Sequence, residues 1–380
     1  MNGADMNGAV LGGAADPLVT GVEAAVYTVP TDRPSADGTL SWDSTTMVLV
    51  RVRGGGLEGL GWTYGPAACA SVVRDLLADQ VRGRPVLDVP GALAAMIRAV
   101  RNAGRPGAVG YAVSAVETAL WDLKARVVGL PLYRLLGAAR TGAPLYGSGG
   151  LTSYGDDVLR EQLSHWTHER GFTRVKIKIG EDWGRRERRD LERLAIAREA
   201  VGPGVELFAD ANGAYSAKQA IRLAGALADL DVRWLEEPVS SDDLDGLRRV
   251  RDSVPADVAA GEYGFDLTYF QRMCAAGAVD CLQADITRCG GLLEFARAAT
   301  VAAAHGLELS AHCAPYLHRH AVLPLTNLRH LEWFHDHVRI ETRFFDGADP
   351  PVDGVLYPDP DRPGLGLDLR EADADAYRTG

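Results

Sequence analysis

Residues 205–238 read VELFADANGAYSAKQAIRLAGALADLDVRWLEEP. A short apolar run, Val205 to Ala209, ends in Asp210; helical periodicity follows from Ala217 to Leu230; a second apolar run, Val232 to Leu235, ends in Glu236 and Glu237. This is a strand, a helix and a second strand, with an acidic residue closing each strand. The same rhythm continues on either side. Apolar runs recur at Leu145, Val175 to Ile179, Val258 to Ala260, Cys281 to Ala284, Leu307 to Leu309 and Leu331, with helix-like stretches at 156–169, 185–200, 266–276 and 292–305. Seven or eight such units of roughly 25 to 30 residues predict a parallel β/α barrel, not a short doubly wound sheet.

Before Pro144 the pattern differs. Thr45 to Arg53 alternates apolar and polar residues, and Gly54 to Gly61 turns the chain toward Trp62 and Tyr64, which predicts an antiparallel hairpin. That turn contains G-x-G-x-x-G at Gly54, Gly56 and Gly59, yet a dinucleotide loop needs a helix to open at once, and WTYGP cannot supply one. Val113, Val116, Leu120, Leu123 and Val127 form an apolar helical stripe that Gly129 and Pro131 stop. The organisation expected is a disordered tail over 1–16, an α+β unit over 17–142 and the barrel over 143–343. A segment rich in Pro, Gly and Asp, 344–380, should leave the barrel and return to the first unit.

Forty Lys and Arg stand against 51 Asp and Glu, a formal net charge of −11. Nucleic acid is an unexpected partner for such a chain, and a 47% hydrophobic composition excludes disorder as the main state. No apolar run approaches the roughly 18 to 20 residues of a membrane span, and the first residues lack the basic flank of a signal peptide. Five scattered cysteines, Cys69, Cys274, Cys281, Cys289 and Cys313, suit neither a disulfide framework nor a zinc ribbon. They read as reduced core residues of a cytoplasmic protein.

In such barrels the chemistry comes from the carboxyl ends of different strands. Those ends carry Lys176 and Lys178, Asp210 and Asn212, Glu236, Glu262, Asp285, His312 and Glu332. Asp210, Glu236 and Glu262 recur at intervals of 26 residues and can converge on one point. Three carboxylates stay ionised together only around a cation, and oxygen-only ligands select a hard one, Mg2+. Lys176 and Lys178, two apart on a strand, share the inward face. They either neutralise the metal carboxylates or meet a substrate anion, where a lowered pKa would make a lysine a base. Asp285 and His312, 27 apart, suit a carboxylate orienting an imidazole. His318, His320, His335 and His337, in a helix or a terminal loop, read as structural.

Together, KIK (176–178), DAN (210–212), EEP (236–238), AGE (260–262), DITRCGG (285–291), AH (311–312) and LEW (331–333) resemble the enolase superfamily, and within it the mandelate racemase subgroup. The resemblance runs from about Leu18 to Leu369. It implies a (β/α)7β TIM-like barrel with an α+β capping domain, and Asp210, Glu236 and Glu262 as Mg2+ ligands, Glu236 being taken over Glu237. Lys178 would be the base on one substrate face and His312, held by Asp285, on the other. Lys176 would stabilise the carboxylate or enolate, Asn212 would line the pocket, and Glu332 would donate a hydrogen bond to a carboxylate oxygen.

With bases on both faces, one intermediate leads two ways. Loss of a β-hydroxyl gives dehydration of an acid sugar to a 2-keto-3-deoxy acid; return of the proton from the other side gives a racemase or epimerase of a 2-hydroxy acid. The resemblance favours the dehydratase and implies a small carboxylate substrate, no membrane and a homo-oligomer. A mobile capping loop is expected over Pro30 to Thr46, with Asp32, Arg33, Trp42 and Asp43; its polar character, with Trp42 toward substrate, suits hydroxylated ligands. A barrel hydrolase would want H-x-H early, whereas those patterns lie at 318–320 and 335–337.

Overall fold

The computed structural model describes residues 16–380; the tail expected over 1–16 lies, Asp16 apart, outside them. Three strands, β1 (Val19–Ala36), β2 (Ser41–Gly54) and β3 (Leu57–Tyr64), form an antiparallel meander. The glycine-rich run is its second turn: Gly55 and Gly56 take φ of 60° and 77°. The helix Ala108–Val128 lies across this sheet and stops at Gly129 in the left-handed conformation. Contact is close because β3 presents glycines: a Cβ at Gly59 or Gly61 would lie 2.3 Å from the carbonyl oxygen of Ala119 or Ala115.

Eight parallel strands then close a barrel: β4 (Ala143–Gly149), β5 (Arg174–Lys178), β6 (Glu206–Asp210), β7 (Val232–Glu236), β8 (Asp257–Ala260), β9 (Cys281–Ala284), β10 (Glu308–Ala311) and β11 (Leu328–Phe334). β11 pairs with β4, Leu331 opposite Leu145, so no edge remains. Register sets the height of the charges: Lys178 pairs with Asp210 and Asp210 with Glu236. Below them Tyr146, Phe208, Trp234, Ala259 and Cys281 fill the interior, Phe208 stacked on Trp234 at 5.4 Å. This aromatic floor keeps water from beneath the site, and each such burial contributes about 2–3 kcal/mol.

Expected helices appear at Asp156–Ser164, Glu187–Val201, Ala217–Asp229, Leu267–Ala275 and Leu292–Ala304. The periodicity missed Leu244–Arg251, only eight residues, and His335–Phe344, whose apolar stripe is thinned by charged side chains. The last residues meet β1: Val26 N–H donates to Gly380 O at 2.8 Å and Thr28 N–H to Tyr377 O at 2.9 Å. The final segment also stays with the barrel, since Val355–Leu356 pairs antiparallel with β4.

The loop expected over Pro30 to Thr46 is instead the end of β1 and the start of β2, joined at Asp37–Leu40. Pro30 and Pro34 are tolerated because β1 is an edge strand with a register shift between Pro30 and Ser35. The tip is fastened to the barrel: Trp183 N–H donates to Gly38 O (2.9 Å), Ser153 Oγ to Pro34 O (2.7 Å) and Thr152 N–H to Ala36 O (2.8 Å).

Candidate active site

The strand ends bring the expected residues to one buried cluster. Asp210, Glu236 and Glu262 each offer an oxygen, these atoms all lie within 4.8 Å of one another, and all three residues are buried. Trp234 Nε1 donates to Glu236 Oε2 at 2.8 Å and Asn212 N–H to Asp210 Oδ1 at 2.9 Å, while the other oxygen of each carboxylate meets a lysine ammonium. Burial and the adjacent charge of Asp210 push Glu236 up to about 8. Burial also raises Asp210, but Lys178 and Lys176 outweigh it and hold Asp210 below the usual range. Such crowding of like charge is what a hard divalent cation relieves, so the donor set fits Mg2+.

Lys176 is wholly buried among acids, its Nζ 2.6 Å from Glu236 Oε1, 2.9 Å from Glu332 Oε1 and 3.4 Å from Asp210 Oδ2. Lys178 is ion-paired with Asp210. Burial lowers both ammonium groups, but the carboxylates prevail and hold both above the usual lysine range. The lowered value expected of a lysine base is thus absent here, because the carboxylates stand beside the lysines; a cation among those carboxylates would weaken that hold.

Across the ring, three strands from β5 one way and five the other, His312 follows β10. Its Nδ1 lies 2.8 Å from Asp285 Oδ2, and its Nε2 3.3 Å from Glu262 Oε2. Burial raises the Asp285 carboxyl, yet the hydrogen bond and charge of His312 bring it down to about 2. Burial lowers the imidazole; Cys313, Glu262 and the Asp285 hydrogen bond override it, so His312 is held above its ordinary value.

Glu332 differs from the resemblance-based expectation. It accepts from Ser148 Oγ (2.5 Å) and Cys313 N–H (3.1 Å) and pairs with Lys176, whose charge, against burial, holds the carboxyl below the usual range. It is an acceptor here, not a donor. Asn212 and Trp42 both line the cavity above the charges, about 420 Å³ in volume. Asn212 holds φ of 45°, and its side-chain Oδ1 is buried without a partner, free to meet a ligand donor. Among the residues expected near the loop, Asp32 accepts from His335 Nε2 at 2.9 Å, whereas Arg33 and Asp43 are exposed.

Sequence reasoning missed Arg288, Tyr64, His337 and Cys313, all of which line the same cavity. Arg288 Nη1 donates to Glu262 Oε1 at 3.0 Å, and its guanidinium lies over Tyr263 at 5.4 Å. Its signal was its place three residues after Asp285. His337, read as structural, stacks on Tyr64 with ring centroids 3.5 Å apart, and burial depresses it to about 3. His318 and His320 do serve structure: His318 Nε2 accepts from Ile286 N–H at 3.0 Å, and His320 bonds Leu365 O at 2.9 Å.

The Enolase C-terminal domain-like family model matches residues 158–373, and the Mandelate racemase / muconate lactonizing enzyme N-terminal domain model matches 21–137. A mandelate racemase/muconate lactonizing enzyme-like protein from Rubrobacter xylanophilus superposes with a TM-score of 0.92 at 49% identity, over 95% of this chain and 100% of that one. L-talarate/galactarate dehydratase of Salmonella typhimurium is 29% identical over 93% of this chain and 86% of its own length. The L-talarate dehydratase structure from Polaromonas, complexed with Mg and L-glucarate, has a TM-score of 0.86 at 26% identity, covering 96% of this chain and 98% of that one. Among the described residues no helix is long and apolar enough to cross a membrane.

Proposed function

Because the chain belongs to the mandelate racemase / muconate lactonizing enzyme family of the enolase superfamily, we propose that it is a Mg2+-dependent acid sugar dehydratase, a hydro-lyase that forms a 2-keto-3-deoxy acid. One observation carries this reading: Lys178 and the Asp285-held His312 face one cavity from opposite sides of the barrel, with three buried carboxylates between them. Asp210, Glu236 and Glu262 would hold the ion, which supplies the positive charge that makes an α-proton beside a carboxylate removable.

Lys178 removes the proton from C2 of the substrate. Lys176, fixed by Glu236 and Glu332, places a second positive charge near the carboxylate as negative charge builds. His312 protonates the departing C3 hydroxyl, and Asp285 keeps Nδ1 occupied so that Nε2 faces the reaction. Asn212 and Trp42 border the cavity where hydroxyl groups would lie. The dehydratase relatives support a polyhydroxy acid as substrate. Five unpaired, buried cysteines support a cytoplasmic site of action, and Leu40, Trp183 and Tyr263, exposed near the barrel mouth, support a homo-oligomer.

A panel of hexonates, pentonates, aldarates and simple 2-hydroxy acids, incubated with enzyme and Mg2+ and assayed for 2-keto acid, tests the reading. At least one sugar acid should be dehydrated. Inversion at C2 of a 2-hydroxy acid, with no keto acid from any member, would make the protein a racemase instead.

A further inference from the structure

Next to the hard carboxylate triad, with His312 Nε2 3.3 Å from Glu262 Oε2, a second and softer set of ligands converges. Cys313 Sγ lies 3.2 Å from His312 Nε2 and 3.4 Å from a Glu332 oxygen, and His312 Nε2 is 3.8 Å from Glu332 Oε2. All three residues are buried, and all three line the cavity. Zinc bonds of about 2.3 Å to sulfur and about 2.0–2.2 Å to nitrogen or oxygen, at tetrahedral angles, place ligand atoms about 3.4–3.6 Å apart. The observed triangle matches those edges to within about 0.4 Å, and its open side faces the cavity, where a water or a substrate oxygen supplies the fourth vertex.

The backbone is shaped to bring the thiol there. Consecutive residues leaving a strand point to opposite faces, so a cysteine directly after an inward His312 should face away. Cys313 instead takes φ of 52° and Ala314 φ of 39°, which turns His312 and Cys313 to the same side. The hard triad offers only oxygen and suits Mg2+; nitrogen, sulfur and oxygen together suit a thiophilic ion.

We propose that His312, Cys313 and Glu332 form a second, inhibitory metal site selective for Zn2+, which binds alongside the Mg2+ carboxylates. On binding, zinc displaces the Cys313 thiol proton and the Nε2 proton of His312, both of which pass to solvent, and bonds to the thiolate and to the freed Nε2 lone pair; no electron is transferred. Inhibition follows because the same Nε2 is the proton carrier of the proposed dehydration. That consequence rests on the functional reading, whereas the metal site itself does not.

Cobalt is the probe, because a cobalt–thiolate bond gives a near-ultraviolet charge-transfer band independent of catalysis. With saturating Mg2+ present, one equivalent of Co2+ should produce this band and a tetrahedral visible spectrum, both abolished by Zn2+ and both missing in Cys313→Ser. X-ray absorption of the zinc-loaded wild-type enzyme should show one sulfur with nitrogen or oxygen ligands, so the test survives a variant that fails to fold. In the turnover assay, Cys313→Ser should raise the inhibitory zinc concentration by about tenfold or more. A wild-type enzyme with no charge-transfer band, or zinc bound through oxygen alone, would overturn the proposal.

Discussion

In the proposed mechanism His312 and Lys178 have separate tasks, and neither is one of the three carboxylates proposed to hold the ion, so each can be removed without dismantling that cluster. His312→Asn keeps a hydrogen-bonding side chain toward Asp285 but cannot carry the proton. Lys178→Ala removes the only ammonium paired with Asp210 alone, while Lys176 remains beside Glu236 and Glu332. Each variant should lose about 10²- to 10⁴-fold in kcat, the usual worth of a positioned acid or base, while calorimetry still records Mg2+ binding. Full activity in both would remove the two-sided mechanism. The strand-end placement of the charged residues was legible because register follows from spacing: Asp210 and Glu236 sit on paired strands at one height. Cys313 was not, because only a left-handed residue defeats the alternation rule, and its φ leaves no mark in the sequence. Ser148, at the end of β4, hydrogen-bonds Glu332 from the one strand end that offered no charge to notice.

Elements meet at fixed buried contacts between the meander unit and the barrel. Glu117, midway along the Ala108–Val128 helix, accepts from Leu292 N–H (2.7 Å) and Leu293 N–H (3.1 Å), so a carboxylate from one unit caps a barrel helix of the other. Burial outweighs those bonds and raises Glu117 to about 7 from 4.5. The folded value lies above the unfolded one, so the stability linked to this proton is complete below pH 4.5 and declines as the pH rises through 7. The decline amounts to about 3 kcal/mol between those limits. Calorimetric unfolding at pH 5 and pH 8 should show Glu117→Gln losing less stability across that interval than the wild type; equal losses would contradict the linkage. Gly59→Ala tests the sheet–helix approach: with its Cβ 2.3 Å from Ala119 O, it should cost about 3 kcal/mol in urea unfolding. The barrel helices were legible where three or more apolar positions kept their period. The Pro30–Thr46 hairpin was not, because prolines on an edge strand imitate a loop.

For the molecule as a whole, the meander unit roofs the barrel, and its first hairpin is tied down by Asp32 to His335 at 2.9 Å and by Thr45 to Asp336. Trp42 reaches the cavity from this roof, on β2, and not from a barrel strand end. Trp42→Ala should therefore raise KM by about tenfold with a smaller change in kcat, since it removes contact made equally in ground and transition states; steady-state kinetics on the identified substrate measures the split. The most direct test of the central claim is proton magnetic resonance of the product formed in D2O with Mg2+. Removal of the C2 proton and loss of the C3 hydroxyl, followed by ketonisation, should yield a 2-keto-3-deoxy acid with a single deuterium at C3. A product that keeps its C3 hydroxyl and carries deuterium at an inverted C2 would contradict the account.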